Sequence, residues 1–147
     1  MMNDDFKRML KDLQEKINVE EEKTYSLTVI EEYRNPAGFG VLEFPDAIGK
    51  VTGPCNDSMK ITLKVEQGII RDARFWTDGC GATIACGSML MKMVEGRSIE
   101  EAVHISKDDV LKNLDGLPKD HMHCAKLAVN TFYAALKNGI HEDKSLD

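Results

Sequence analysis

Residues 59–77, MKITLKVEQGIIRDARFWT, constrain the fold of this chain more than any other stretch. Apolar side chains occupy every second position from Met59 to Val65, and this period of two predicts a strand with one buried face. The sequence EQG is a turn signal, and residues 69–77 can then pair back as the second strand of an antiparallel hairpin. Such a hairpin buries one face against a second layer, so helices from the rest of the chain must cover it.

Helical patterns stand on both sides of the hairpin. Residues 3–23 and 26–33 each carry apolar residues at helical spacing, and NPAGFG ends the second pattern. After the hairpin, ATIACGSMLMKMVEG predicts a buried helix, and Ser98 and Ser106 begin capping boxes that predict helices at 99–104 and 107–114. A last helix is predicted to begin at Cys124 and to end at Gly139. Residues 46–57, DAIGKVTGPCND, show no periodicity and are predicted to be a mobile loop.

This order of elements predicts an α+β fold. We expect a small antiparallel sheet of about three strands, helices packed on one of its faces, and an extra amphipathic helix at the N-terminus. A chain of 147 residues, 42% of them apolar, is long enough for one core. We therefore predict one main domain at residues 25–140, a helical extension at 1–24 and a polar tail at 141–147.

Charge and hydropathy exclude several function classes. Asp and Glu number 25 against 19 Lys and Arg, and the net charge of -6 argues against a nucleic-acid surface. No apolar run approaches the roughly 20 residues of a membrane span, and the N-terminus lacks the apolar segment of a signal peptide. We therefore expect no membrane contact and a cytoplasmic location, where the four cysteines remain thiols.

Three of these cysteines stand at the ends of predicted elements. Cys55 lies in the loop before the hairpin, Cys80 joins a strand to a helix, and Cys124 opens the last helix. Because a helix N-terminus presents free N–H groups and a positive dipole end, we expect lowered pKa values for Cys80 and Cys124. The glycines flanking Cys80 permit either a close backbone approach to a ligand or simply a tight turn. Cys86 faces another side of its helix and is predicted to be a core residue.

A carboxylate and an imidazole accompany the thiols. Asp57 follows Cys55 by two residues, and His123 precedes Cys124. Alone, each is commonly a turn cap or a solvated residue, but with three thiols they form a candidate site of mixed Cys, Asp and His ligands. The chain has no Cys-x-x-Cys motif, so neither a thioredoxin-like pair nor a zinc ribbon is supported.

These motifs, in this order, resemble the IscU/NifU-type iron-sulfur cluster assembly scaffolds. The resemblance begins at TYSLTVIEEYRNPAGFG, continues through GPCNDSMKITLKVEQGIIRDARFWTDGCGATIA and ends in HCAKLA, so it covers residues 25 to about 138. It implies a scaffold domain at residues 25–140 that is not an enzyme. It also implies assembly of a two-iron two-sulfur (2Fe-2S) cluster, or of a four-iron (4Fe-4S) cluster on a dimer, which leaves monomer and homodimer open.

The resemblance also implies a set of site residues. Cys55, Cys80 and Cys124 would bind the cluster as thiolates, and either Asp57 or His123 would fill the fourth position. Cys124 would accept persulfide sulfur. Cys86 stands where the family commonly carries serine, which leaves the role of this extra thiol open.

Several partners follow from the resemblance. They are a cysteine desulfurase as the sulfur source, an iron donor, a ferredoxin-type reductant, and apo iron-sulfur proteins as recipients. Bacterial members present LPPVK to a dedicated Hsp70-type chaperone. Here the matching residues are Leu117, Pro118, Lys119, Asp120 and His121. Only the first two agree, so we do not expect dependence on that chaperone.

Two alternatives use the same residues. The first is a zinc-binding sulfurtransferase that accepts persulfide from a cysteine desulfurase, because zinc takes the same ligand types. That branch usually has an insertion between its second and third cysteines, and the 43 residues between Cys80 and Cys124 look too few for it. The second is a structural zinc module for protein contacts, for which four cysteines in a compact site would be expected.

Overall fold

Among residues 3–146, which the computed structural model describes, three antiparallel strands form one sheet. The strands are β1 (Ala47–Thr52), β2 (Ser58–Glu66) and β3 (Ile69–Thr77), in that spatial order. Ile61 in the central strand pairs with Gly49 on one side and Phe75 on the other. The predicted hairpin is therefore confirmed, and its turn uses Gln67 and Gly68, both with positive φ.

Strand β1 occupies Ala47–Thr52, so the loop predicted at residues 46–57 was wrong over the strand, and residues 53–57 form the loop between β1 and β2. The buried positions of β1 include Ala47 and Gly49, which are too small to give an apolar alternation. A Cβ on Gly49 would lie 2.4 Å from both the backbone nitrogen of Ala135 and the carbonyl oxygen of Thr131. Small residues are required at β1 because a helix backbone approaches it this closely.

The helices lie close to their predicted positions. They are α1 (Asp4–Thr24), α2 (Leu27–Arg34), α3 (Gly81–Val94), α4 (Ile99–Ala102), α5 (Lys107–Asn113) and α6 (His123–Leu146), with a 3₁₀ turn at Lys119–His121. Ser26, Ser98 and Ser106 each cap a helix by accepting a backbone N–H. The reciprocal capping box forms at Ser106 with Asp109.

Helix α6 continues past Gly139, where the sequence predicted its end, and runs to Leu146. The reason is packing: a Cβ on Gly139 would lie 2.8 Å from the Cβ of Ala47. This glycine therefore permits α6 to lie against β1 and does not cap the helix. Residues 1, 2 and 147 of the predicted extension and tail lie outside the described residues.

Helices α3 and α6 cover one face of the sheet, as predicted. Met59, Ile61, Phe75, Leu90 and Phe132 are fully buried between them, whereas Ile48 and Trp76 remain exposed. Cys86 is also fully buried in this layer, which confirms it as a core residue, and burial raises the pKa of its thiol well above the usual value.

An ion pair between the buried Glu32 and the exposed Lys92 ties α2 to α3. Glu32, only 4% exposed, accepts hydrogen bonds from Ser88 Oγ at 2.7 Å and from Lys92 Nζ at 2.6 Å. Because its buried carboxylate has both partners, its desolvation is compensated. The pair holds α3 in place, and Cys80 stands at the N-terminus of α3.

Helix α1 lies on the surface of the fold. None of its residues is buried, and it contacts α2 through hydrogen bonds from Arg34 to Asn18 and Glu21. Its apolar stripe is exposed and consists of Phe6, Met9, Leu10, Leu13 and Ile17. No helix in the described part of the chain is both long and apolar enough to cross a membrane.

Candidate metal centre

Three element ends meet at one edge of the fold and bring three cysteines to it. Cys55 lies in the loop between β1 and β2, which the Gly53 N–H closes by donating to the Asp57 carbonyl at 2.7 Å. Cys80 is the N-cap residue of α3, and Cys124 lies in the first turn of α6. Separate local structures therefore position each thiol.

The tightest group in this centre contains two of the thiols and one imidazole. The ligand atoms of Cys80, His121 and Cys124 all lie within 4.8 Å of one another. Among the described residues, this is the one group of three or more Cys, His, Asp or Glu side chains that meets this distance. Asp57 is outside this group, although its charge acts on Cys124.

His123 faces the remaining thiol. Its Nε2 lies 3.3 Å from the Sγ of Cys55 and 3.9 Å from the Sγ of Cys124. His123 therefore lies between the thiols of Cys55 and Cys124, whereas His121 lies beside Cys80 and Cys124.

Sequence reasoning did not single out His121 as a ligand, although a signal was present. His121 and Cys124 are three residues apart where the 3₁₀ turn leads into α6. Side chains three apart in helical backbone lie on the same side, whereas adjacent ones diverge. The His-x-x-Cys spacing therefore predicts the pairing better than the adjacency of His123 does.

A buried hydroxyl links two of the thiols. Thr83 Oγ1 donates to the Sγ of Cys124 at 3.3 Å and lies 3.7 Å from the Sγ of Cys80. Thr83 is fully buried in the first turn of α3. The Thr83 hydroxyl therefore contacts both thiols.

The pKa of Cys124 is raised, whereas the sequence predicted a lowered pKa. Burial raises it to about 11, the Thr83 hydrogen bond lowers it, and the charges of Cys80 and Asp57 raise it. The rise in pKa caused by removal from water is thus larger than the decrease expected from the helix N-terminus. Without a metal the Cys124 thiol stays protonated at neutral pH, and metal binding must displace the proton.

Two tyrosines form one wall of the centre. The Tyr25 ring lies 5.9 Å from the His121 ring and 6.1 Å from the Tyr33 ring, measured between centroids. Burial, together with the charges of Cys80 and Cys124, raises the pKa of Tyr25. The wall is therefore a neutral aromatic surface.

The glycines around Cys80 have packing roles. A Cβ on Gly81 would lie 3.2 Å from the Tyr33 ring, and one on Gly79 would lie 2.7 Å from the Thr83 hydroxyl. Both therefore make room for side chains that shape the centre. These contacts support the tight-turn interpretation of the Gly-Cys-Gly sequence.

The burial of the thiols predicts their alkylation rates. In the metal-free protein at about pH 8, iodoacetamide should modify the exposed Cys55 and Cys80 at least about tenfold faster than the buried Cys86 and Cys124. Because the raised pKa of Cys124 leaves little thiolate, its rate should rise about tenfold per pH unit up to about 11. Peptide mapping by mass spectrometry measures each rate, and continued protection of Cys86 shows that the fold persists. Equal rates for all four thiols would contradict the prediction.

A family model described as the NifU-like N terminal domain matches residues 24–144. The chain belongs to this family. Its three-stranded sheet covered by helices is accordingly the fold of a NifU-like domain, and the converging thiols lie within the matched residues.

Named relatives of this NifU-like chain cover most of its length. The iron-sulfur cluster assembly scaffold protein IscU 1 of Archaeoglobus fulgidus is 40% identical over 124 residues, which are 84% of this chain and 81% of the relative. The iron-sulfur cluster assembly scaffold protein IscU of Escherichia coli (strain K12) is 41% identical over 117 residues, 76% of this chain and 91% of the relative.

A solved structure shares the fold. The N-terminal NifU-like protein from Brucella abortus superimposes with a TM-score of 0.63 at 18% identity, covering 79% of this chain and 94% of that one. At this identity the likeness concerns the fold alone.

Proposed function

We propose that this chain is a non-enzymatic scaffold on which iron-sulfur clusters are assembled and from which they pass to apo iron-sulfur proteins. The observation that carries the proposal is the convergence of three thiols from separate elements beside two imidazoles. Thiolate is the preferred ligand of iron-sulfur clusters. The names of its relatives, which are 40% and 41% identical, agree with this role. The cargo would be a 2Fe-2S cluster, with a 4Fe-4S cluster on a homodimer as the larger product.

The proposed cluster ligands are the thiolates of Cys55, Cys80 and Cys124, with Asp57 and His123 completing the coordination. Cys86 is excluded because it is fully buried in the core. A carboxylate is a harder and weaker partner for iron than a thiolate. A weak ligand on an exposed loop makes the cluster easy to release, which a scaffold needs.

Sulfur would arrive as the persulfide of a cysteine desulfurase. The Cys124 thiolate attacks the outer persulfide sulfur, the S–S bond breaks, and the desulfurase leaves as its thiolate while Cys124 carries the persulfide. Two electrons from a ferredoxin-type reductant then cleave the new S–S bond, which releases sulfide and restores the Cys124 thiolate. Because burial raises the pKa of the metal-free thiol to about 11, iron binding would favour this step by displacing the thiol proton. Mass spectrometry after incubation with desulfurase, cysteine and Fe²⁺ should find the added sulfur on Cys124; sulfur found only elsewhere would contradict this step.

Anaerobic reconstitution tests the function itself. With Fe²⁺, sulfide and reductant, the protein should develop sulfur-to-iron charge-transfer absorption and then transfer the cluster to an apo-ferredoxin. A colourless protein that holds only zinc and accepts sulfur from the desulfurase would instead support the zinc sulfurtransferase.

Replacement of Asp57 tests the weak-ligand argument. Asp57→Ala leaves its iron to the imidazole of His123, a better ligand, so transfer to apo-ferredoxin should slow about tenfold. Stopped-flow absorbance or circular dichroism follows the transfer. Asp72→Ala, on β3, is the matched control and should transfer at the unmodified rate. Faster transfer from Asp57→Ala would refute the argument.

We also propose that residues 25–140 are the scaffold domain, residues 1–24 an N-terminal helical extension and residues 141–147 a tail into which α6 continues as far as Leu146. None of residues 4–24 in α1 is buried, which supports the first boundary. The family match that begins at residue 24 supports it as well.

A further inference from the structure

We infer that His121 is a metal ligand, and that the first divalent metal ion to enter the centre binds at Cys80, His121 and Cys124. The inference deepens the proposed function and rests on it for the identity of the physiological metal, Fe²⁺. It assigns a ligand outside the set of Cys55, Asp57, Cys80, His123 and Cys124.

The distances between the three ligand atoms are already close to those of a metal-bound site. In a tetrahedral site, metal–sulfur bonds of about 2.3 Å and metal–nitrogen bonds of about 2.0 Å separate the ligand atoms by about 3.5–3.8 Å. The ligand atoms of Cys80, His121 and Cys124 lie within 4.8 Å of one another. Closing the difference of about 1 Å requires small side-chain rotations and leaves the backbone elements in place.

The donor set suits a metal ion that must still react. Two thiolates and one imidazole bind iron or zinc strongly and leave the fourth tetrahedral position open. An open position is what an ion needs if sulfide or a persulfide is to reach it. The exposure of Cys80 provides the entry side.

The two histidines divide the centre into two ligand sets. His121 belongs with Cys80 and Cys124, whereas His123 Nε2 lies 3.3 Å from the Sγ of Cys55. His123 Nε2 also lies 3.9 Å from the Sγ of Cys124, so that thiol is next to both histidines. The outer pair of Cys55 and His123 therefore remains available to a second iron after the first ion has bound.

Local structure holds His121 toward the thiols of Cys80 and Cys124. Its backbone N–H donates to the Pro118 carbonyl at 2.9 Å within the 3₁₀ turn, and its ring packs against Tyr25. Its side chain is 29% exposed. Because packing on Tyr25 alone could account for this position, the test must separate packing from ligation.

Cobalt(II), added to the metal-free full chain, makes that separation. A histidine ligand of cobalt gives a hyperfine-shifted imidazole N–H resonance in the proton NMR spectrum, and each thiolate adds to the sulfur-to-cobalt absorption. One equivalent should give such an N–H signal in the unmodified protein. His121→Phe keeps an aromatic ring against Tyr25 but cannot bind metal, so it should lose the signal and bind cobalt at least about tenfold more weakly. His123→Phe is the matched control and should retain the signal.

Each outcome decides the inference. Retention of the signal in His121→Phe, its loss in His123→Phe, or its absence from the unmodified protein would overturn it. Urea unfolding of the metal-free variants shows that both proteins are folded. If the unmodified protein binds cobalt through His121 but assembles no cluster from Fe²⁺ and sulfide, the proposed function fails and the ligand assignment stands. If it assembles clusters but binds cobalt without His121, the ligand assignment fails and the proposed function stands.

Discussion

Cys80→Ala is expected to abolish cluster assembly, whereas Cys86→Ala is expected to leave it intact. Cys80 is the N-cap of α3, but its side chain bonds to none of the backbone N–H groups of the helix, and it is exposed. Its removal should therefore change the free energy of unfolding by less than about 0.5 kcal/mol. The substitution deletes a thiolate that belongs both to the proposed cluster ligands and to the group of Cys80, His121 and Cys124. The sulfur-to-iron absorption after anaerobic reconstitution should fall to background.

Cys86→Ala is the matched control because it removes a thiol from the same helix. Cys86 is fully buried, so its loss leaves a small cavity and should cost about 1 kcal/mol of stability. Iron bound per chain and the charge-transfer absorption should equal those of the unmodified protein. Normal assembly in Cys80→Ala, or loss of assembly in a folded Cys86→Ala protein, would contradict the proposed ligand set.

Gly49→Ala is expected to destabilise the fold by about 3 kcal/mol, at the upper end of the usual cost of overpacking. The added Cβ would lie 2.4 Å from backbone atoms of Thr131 and Ala135 in α6. Backbone cannot rotate away as a flexible side chain can, so β1 and α6 must separate. Such a loss is a large part of the roughly 5–15 kcal/mol that stabilises a domain. Urea unfolding followed by circular dichroism measures it.

Gly53→Ala is the control for that substitution. The nearest atom to its added Cβ, on the Leu127 side chain, is 3.6 Å away, which is ordinary contact. The free energy of unfolding should stay within about 0.5 kcal/mol of the original. Equal stability of the Gly49→Ala and Gly53→Ala proteins would refute the close packing of α6 on β1. Because α6 also carries Cys124, a shifted α6 should weaken metal binding in Gly49→Ala.

The sequence was sufficient for those elements whose signals are local. Alternation in 59–65 predicted β2, helical spacing of apolar residues predicted α2, and the serine caps predicted the starts of α4 and α5. Cys86 could be assigned to the core because small apolar neighbours surround it along the chain. Each of these signals arises from a few adjacent residues and from which side of an element meets water.

The errors occurred where contacts between distant segments decide the structure. Ala47 and Gly49 carry no strand signal, because their small size serves the approach of α6. Gly139 looked like a helix end for the same reason, although its missing side chain accommodates Ala47. In both places a glycine has a local preference, but a partner more than 80 residues away determines its role.

For the site, the order of motifs along the sequence determined which thiols to consider, and the resemblance determined their proposed chemistry. The tertiary structure alone decided that His121 lies beside Cys80 and Cys124 while His123 faces Cys55. It also decided that burial raises the pKa of Cys124. The physical reason is that the direction of a side chain and its distance from water depend on the packing of whole elements. Composition and local periodicity predict the helices and strands themselves, but only the folded chain brings the ends of these elements together.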